Sequence, residues 1–589
     1  MQFKRILGQP NPGSRDERIM KANEVSRRGF LQSVPSVGGG LAISTLASKS
    51  VALAAGAPLK EGHKTGVVAQ TSGDIVETAY GKVRGTERNG IKIFRGIPYG
   101  ADTAGKNRFL PAKPPQPWAG VLPTLWYGAA CPWEPRAEWS QQERAFVQQW
   151  EDGYGRSENL LTVNVWTPGI NDNKKRPVFV YVHGGGYSWG SSYELPAYDG
   201  ENLARRGDLV VISFHHRLNA FGFLNLSGLN NPQFAHSHNL GMSDIVFLLE
   251  WVRDHCANFG GDAGNVTIAG QSGGGGKVSI LLSMPAAKGL FHKACVHSGS
   301  MLEVPGAETS LRIASAVLSE LNVSSQNADV LQSISTDQVL HAAVAALSKV
   351  NASLKNAPTA PLRNPRAYFG PYVDGAVIAS NPFNPVAPSI SADVPMLVCT
   401  TLNEFTDALD KPDAFSMTAD ALSAKVSALY ENRTAEIIGV FRKGHPRANN
   451  FQLWSIISTT GVRSSAIRQC QRKAALRKAP AYNCWWQWQG PILDGRVMAL
   501  HSGDLAFFFD NLERCQAQTG NGAEAHTLAD QMSEVWINFA RTGNPNHPGI
   551  PNWEPVSTEG SETMIFDAPS AFDTDPDSEE RRILESHST

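Results

Sequence analysis

Ser272 sits in Gly270-Gln271-Ser272-Gly273-Gly274, a glycine-flanked serine between the apolar run Val266-Thr267-Ile268-Ala269 and the segment from Lys277 to Leu282. A strand that ends on such a serine and turns at once into a helix exposes the hydroxyl at the carboxyl edge of a sheet. The helix start then directs N–H groups and a positive dipole end at the reacting centre. That chemistry is nucleophilic attack on a carbonyl. The same stretch superficially matches a phosphate-binding loop through Gly276-Lys277. That loop needs a glycine where Gln271 stands and Ser or Thr where Val278 stands, so it is excluded.

A serine nucleophile requires an oxyanion site, a base and an acid that orients the base. Upstream, Val178-Phe179-Val180-Tyr181-Val182 reads as a buried strand running into His183-Gly184-Gly185-Gly186. Consecutive glycines there let backbone N–H groups approach a ligand with no Cβ in the way. Gly273, directly after the serine, supplies a further donor. Of the 15 histidines, His501 stands out in Ala499-Leu500-His501-Ser502-Gly503-Asp504, a loop placed after the strand-like Tyr482–Trp488. Glu404 follows the apolar strand Val394–Val398, but spacing alone leaves Asp407 and Asp410 equally open as the acid.

The elements that must position these groups alternate between strand and helix, which predicts an α/β fold. Leu209–Phe214 reads as a buried strand, and Ile245, Leu248, Leu249 and Val252 form a helical stripe before the serine strand. A second stripe comprises Leu528, Met532, Val535, Trp536 and Phe539. Ile75–Phe94, with Asn89-Gly90 as its turn, reads as an N-terminal hairpin that extends the sheet. The stretches 306–366 and 412–466 have helical periodicity and are expected as walls over the site. Trp485, Trp486 and Trp488 have strand spacing and read as core.

In order along the chain come Phe94-Arg95-Gly96-Ile97-Pro98-Tyr99, Ser157-Glu158-Asn159-Leu160-Leu161 and Asn164-Val165-Trp166-Thr167-Pro168. Phe259-Gly260-Gly261-Asp262, Pro371-Tyr372-Val373-Asp374-Gly375 and Phe539-Ala540-Arg541-Thr542-Gly543-Asn544-Pro545 follow. With the serine and glycine motifs, this series resembles the type-B carboxylesterase family, the cholinesterase-like branch of the α/β-hydrolases that includes bacterial para-nitrobenzyl esterases. The resemblance implies an α/β-hydrolase fold with a large, mostly parallel sheet, helices on both faces and helical insertions over the active site. It implies a serine esterase with Ser272 as nucleophile, Glu404 as acid, His501 as base, and Gly185, Gly186 and Gly273 as oxyanion donors. A small-molecule ester is the implied substrate, with no cofactor. An amidase, carbamate hydrolase or transacylase would use the same triad, and a non-catalytic binding protein of this fold is the remaining alternative. Arg108 with Glu158, and Arg217 with Asp244, match buried structural ion pairs of the family. Three positions depart from the pattern. Gln271 replaces a frequent Glu, removing a negative charge that would suit a cationic substrate. Phe405 replaces the glycine after the acid, placing a ring at the pocket. Leu160 replaces a common cysteine, leaving Cys131 without its usual partner.

Across 589 residues the formal net charge is −1 and the pI is near 7.0, which gives no electrostatic footprint for nucleic acid. No His-Glu-x-x-His or zinc-type cysteine spacing occurs, so no metal is expected. Ser26-Arg27-Arg28-Gly29-Phe30-Leu31 resembles a twin-arginine export signal, and Ala52-Leu53-Ala54 fits a cleavage site, predicting release to the periplasm or beyond with cleavage after Ala54. The intervening stretch contains Pro35 and three glycines, too broken for a stable span of about 20 apolar residues. The expected organisation is therefore a signal over 1–54, a linker over 55–74, the esterase domain over 75–568 and a loose polar tail over 569–589 that ends in a short helix. The chain has seven cysteines. Cys295 and Cys399 fall in apolar strands and read as inert core residues.

Overall fold

Seven strands, buried on both faces over most of their length and rich in apolar residues there, form a parallel sheet. In spatial order they are Val210–Phe214, Arg176–Val182, Gly261–Gln271, Lys293–His297, Met396–Thr401, Ala481–Trp486 and Thr563–Phe566. In this computed structural model, antiparallel strands extend both ends to give a 12-stranded sheet. Thr162–Thr167, Ile91–Pro98, Thr86–Arg88 and Val68–Ala69 lie at one end and Ala571–Asp573 at the other. The structure describes residues 68–69, 74–134, 143–150, 153–354 and 367–585, all within the unit His63–Thr589. The export motif and its cleavage site lie outside the described residues.

The pleat sends alternate side chains to opposite faces. Val178, Val180 and Val182 pack with Ile245, Leu248, Leu249 and Val252 of the helix Leu240–His255 on one face. Phe179 and Tyr181 point to the other and pack with Leu528, Met532, Val535 and Trp536 of the helix Ala523–Thr542. Both stripes read from the sequence are therefore core faces. Trp485, Trp486 and Trp488 are buried as well.

The chain goes from 176–182 outward to 210–214, then returns to place 261–271 on the opposite side. This reversal is a topological switch point, where a crevice opens beyond the carboxyl ends of two neighbouring strands. Gly270 is in register with Val182, so the loop starting at His183 and the turn starting at Gln271 leave the sheet side by side.

Three expectations need correction. The N-terminal hairpin is two structures: 86–88 and 91–98 extend the main sheet through the Asn89-Gly90 turn, while Ile75–Thr78 and Gly81–Arg84 join Val121–Pro123 in a separate three-stranded sheet. Gly85 marks the change, because any Cβ there would collide with the Ile93 carbonyl. The C-terminal segment ends in the expected short helix but is not loose. Ala571–Asp573 pairs with the last parallel strand, and Asp577, at the start of the helix Ser578–Glu585, is buried against Arg463, Nε to Oδ2 2.8 Å. Arg463 lies buried in the helix Asn450–Ala474 and requires a carboxylate; the last residues supply it. Finally, Cys399 is not a free core thiol. It faces its register partner Cys484 on the adjacent strand, Cα to Cα 4.6 Å, in a disulfide. Cys295 stays free and buried. The stretches expected as helical contain Ala307–Glu320, Thr336–Leu354, Ala419–Tyr430, Thr434–Gly444 and Asn450–Ala474.

Candidate active site

Ser272 joins the strand Gly261–Gln271 to the helix Gly273–Leu281 with φ 57° and ψ −125°. A non-glycine residue held there costs about 1–3 kcal/mol, which its surroundings must offset. Its N–H donates to the His297 carbonyl at 2.8 Å, tying the turn to the next strand. The flanking glycines are steric necessities, since a Cβ on Gly270 would lie 2.5 Å from the carbonyl of Gly274 and one on Gly274 would strike the Val182 carbonyl.

Gly185 and Gly186 have φ of 82° and 68°, and their loop folds back so that Ser188 N–H donates to Gly185 O at 3.0 Å. Gly273 packs directly on it: a Cβ there would be 2.6 Å from Gly186 N. The N–H groups of Gly185, Gly186 and Gly273 donate to no protein acceptor among the described residues. Three free donors therefore cluster beside the Ser272 turn.

Glu404 is buried just past the strand Met396–Thr401. One oxygen accepts from Thr401 N–H at 2.9 Å and the other meets His501 Nδ1 at 2.6 Å. The two loops are also joined through their backbones, with Asn403 N–H donating to Ala499 O at 3.0 Å and His501 N–H to Glu404 O at 2.9 Å. Asp407 and Asp410, the two alternatives, instead face Arg144. The His501 loop is anchored by Asp504, whose carboxylate meets His297 Nδ1 at 2.8 Å with both side chains fully buried.

The other imidazole nitrogen, Nε2, meets the Gln271 carboxamide nitrogen at 3.0 Å. Ser272 Oγ makes no hydrogen bond to His501 here. Phe405 lies across the imidazole, centroids 4.1 Å apart, with its side chain largely exposed. The sequence reading assigned Gln271 only a lost charge; its contact with His501 depends on the distance between two loops, which no local motif encodes.

Lys277, one turn past the serine, is 0% exposed. Its Nζ donates to His183 O at 3.3 Å and lies 5.3 Å from the Tyr187 ring centroid. Burial pulls this amine down to about 7, and burial pushes the Glu194 carboxyl up to about 8. Burial likewise holds His183 and His216 well below the ordinary histidine value and His215 at about 3. A lysine inside an otherwise apolar helix was the available sequence signal for this cluster. The two expected ion pairs are formed and buried: Arg108 Nη2 to Glu158 Oε1 2.6 Å, and Arg217 Nη2 to Asp244 Oδ1 2.6 Å.

A family model described as the carboxylesterase family matches residues 72–583. The chain belongs to the carboxylesterase family. It is 33% identical to the para-nitrobenzyl esterase of Bacillus subtilis over 521 residues, 87% of this chain and 98% of that protein. It is 28% identical to the phenmedipham hydrolase of Pseudarthrobacter oxydans, covering 83% and 94%. Among solved structures, this carboxylesterase resembles an esterase from Clostridium hathewayi able to hydrolyse aliphatic aromatic polyesters, with TM-score 0.74, 29% identity, and 89% and 99% of the two chains covered. It also resembles a carboxylesterase of Geobacillus stearothermophilus, with TM-score 0.70, 30% identity, and 87% and 99% covered. The carboxylesterase thus has the α/β-hydrolase fold and acts as a serine carboxylic-ester hydrolase. Among its described residues, no helix is long and apolar enough to cross a membrane, and no cluster of His, Cys, Asp and Glu could hold a metal ion.

Proposed function

We propose that this carboxylesterase works through Ser272, His501 and Glu404, with Gly185, Gly186 and Gly273 as the oxyanion donors. Ser272 Oγ attacks the ester carbonyl as His501 Nε2 takes its proton, and Glu404 holds the imidazolium through Nδ1–H. The carbonyl oxygen, now negative, is met by the three glycine N–H groups, each donor being worth roughly a hundredfold to a thousandfold in rate. His501 then gives its proton to the departing alcohol. Water enters by the same route, losing its proton to His501 as it attacks the acyl-serine, and Ser272 leaves reprotonated.

The observation that carries this reading is the 2.6 Å contact between His501 and Glu404, made by the loops that face the Ser272 turn. Phe405 supplies an exposed apolar face beside the imidazole. Gln271 supplies no negative charge, so a neutral ester with an apolar group fits the site better than a cationic one. The test is Ser272→Ala, assayed with a neutral aryl ester and a fluorophosphonate probe. Turnover is expected to fall at least about a thousandfold with loss of probe labelling; near-normal turnover refutes the assignment.

We also propose export through the twin-arginine segment, with cleavage after Ala54. The Cys399–Cys484 disulfide favours an oxidising compartment. Intact mass of the exported protein should correspond to a chain beginning at Ala55, and a retained leader refutes the cleavage.

A further inference from the structure

The decisive observation is what occupies Nε2 of His501. Glu404 takes Nδ1 at 2.6 Å, so in the neutral imidazole the proton is on Nδ1 and Nε2 is a bare acceptor. Such an acceptor calls for a donor, and the Gln271 NH2 lies 3.0 Å away. The other end of this carboxamide packs against the oxyanion loop, since a Cβ on Gly184 would be 3.3 Å from Gln271 Oε1. Gln271 itself is 3% exposed, so the amide is enclosed between the two loops. Ser272, its neighbour in the chain, has the hydroxyl that must reach the same lone pair for its proton to be removed. One lone pair cannot serve both donors well.

We propose that Gln271 is a positioning residue which holds the base of the free enzyme, and that attack begins when the Nε2 lone pair passes from the Gln271 N–H to the Ser272 O–H. This inference rests on the catalytic roles proposed above for Ser272 and His501. No covalent bond changes in the exchange. The Ser272 proton is still on oxygen when the swap is complete, and it moves to Nε2 only as Oγ bonds to the carbonyl carbon. Gln271 acts through His501 and does not touch the ester. In the resting state it satisfies the imidazole and lowers the fraction of molecules with an activated serine.

The test uses the full chain with Gln271→Leu, which keeps bulk and removes the donor, and Gln271→Glu, which keeps shape and adds a charge. The readout is the second-order rate of fluorophosphonate labelling from pH 5 to 9, with the labelled residue located by mass spectrometry. Losing one competing hydrogen bond should make the Leu variant label about 2- to 12-fold faster at the upper plateau. In Gln271→Glu, a carboxylate next to Nε2 favours the imidazolium. The acid limb should therefore move up by about one pH unit or more. A folding defect alone would slow labelling without moving that limb. Labelling of Ser272 in the wild type with an equal or slower rate in a folded Leu variant overturns the role of Gln271 and leaves the triad standing. If the Leu variant does not fold, an unmoved acid limb in the Glu variant overturns it instead. Wild-type labelling at a residue other than Ser272 removes the triad and this inference together.

Discussion

Replacing Lys277 by Met should stabilise the protein at neutral and lower pH and do progressively less as pH rises. Lys277 is wholly buried, and burial brings its amine to about 7 against the ordinary value of 10.5. Between those values the unfolded chain binds a proton that the folded chain does not. Stability therefore rises with pH across this window, by about 1.4 kcal/mol per pH unit. The cost of burying the charge, on the order of 4–5 kcal/mol, is fully present below about pH 7 and relieved by about pH 10.5. Methionine fills similar space with no proton to lose, at the price of the 3.3 Å hydrogen bond to His183 O. The net expectation at pH 6 is a gain of about 1–4 kcal/mol. His183, His215 and His216 pack nearby, but burial keeps all three neutral throughout this range. Glu194 does titrate there, with the opposite sign. Its folded value of about 8 exceeds the ordinary 4.5, so stability from this group falls as pH rises between the two. Urea denaturation of the Lys and Met proteins is therefore best compared at each pH from 6 to 10 in a Glu194→Gln background. That background removes a carboxyl coupled to this amine, while other groups such as Lys473, at about 8, are common to both curves. Curves for Lys and Met that run parallel over that range would refute the reasoning.

Arg217→Ala should cost about 3–5 kcal/mol in urea denaturation, because it leaves Asp244 buried without its two-pronged partner; a loss below about 1 kcal/mol would count against the buried-charge account. Alkylation of the denatured chain should find five thiols before reduction and seven after it, from the five free cysteines and the Cys399–Cys484 bond. Seven without reductant would show the bond does not form.

The sequence was most legible where chemistry and backbone constraint coincide. Ser272 and its glycines could be read because the turn admits only small neighbours, and the strand stripes because burial on both faces demands apolar runs. Glu404 was legible only through the family resemblance. Three carboxylates lie within seven residues, and what separates them is distant in the chain: Arg144 faces Asp407 and Asp410, while Asn403 pairs with Ala499. The last residues misled for a related reason. Their polar composition reads as a tail until Arg463, more than a hundred positions earlier, is seen to need Asp577. Cys399 and Cys484 likewise meet only through strand register.

The paired loops bearing Glu404 and His501 have a mechanical consequence. Two backbone bonds and one carboxylate contact fasten these segments together, so acid and base are braced as a single part. Asp504 ties the same loop to His297, whose carbonyl also holds the Ser272 N–H, so the pair and the serine turn hang from one strand. The orientation of the imidazole is thus set by its own bracket, while its distance from Ser272 is set by the strand they share.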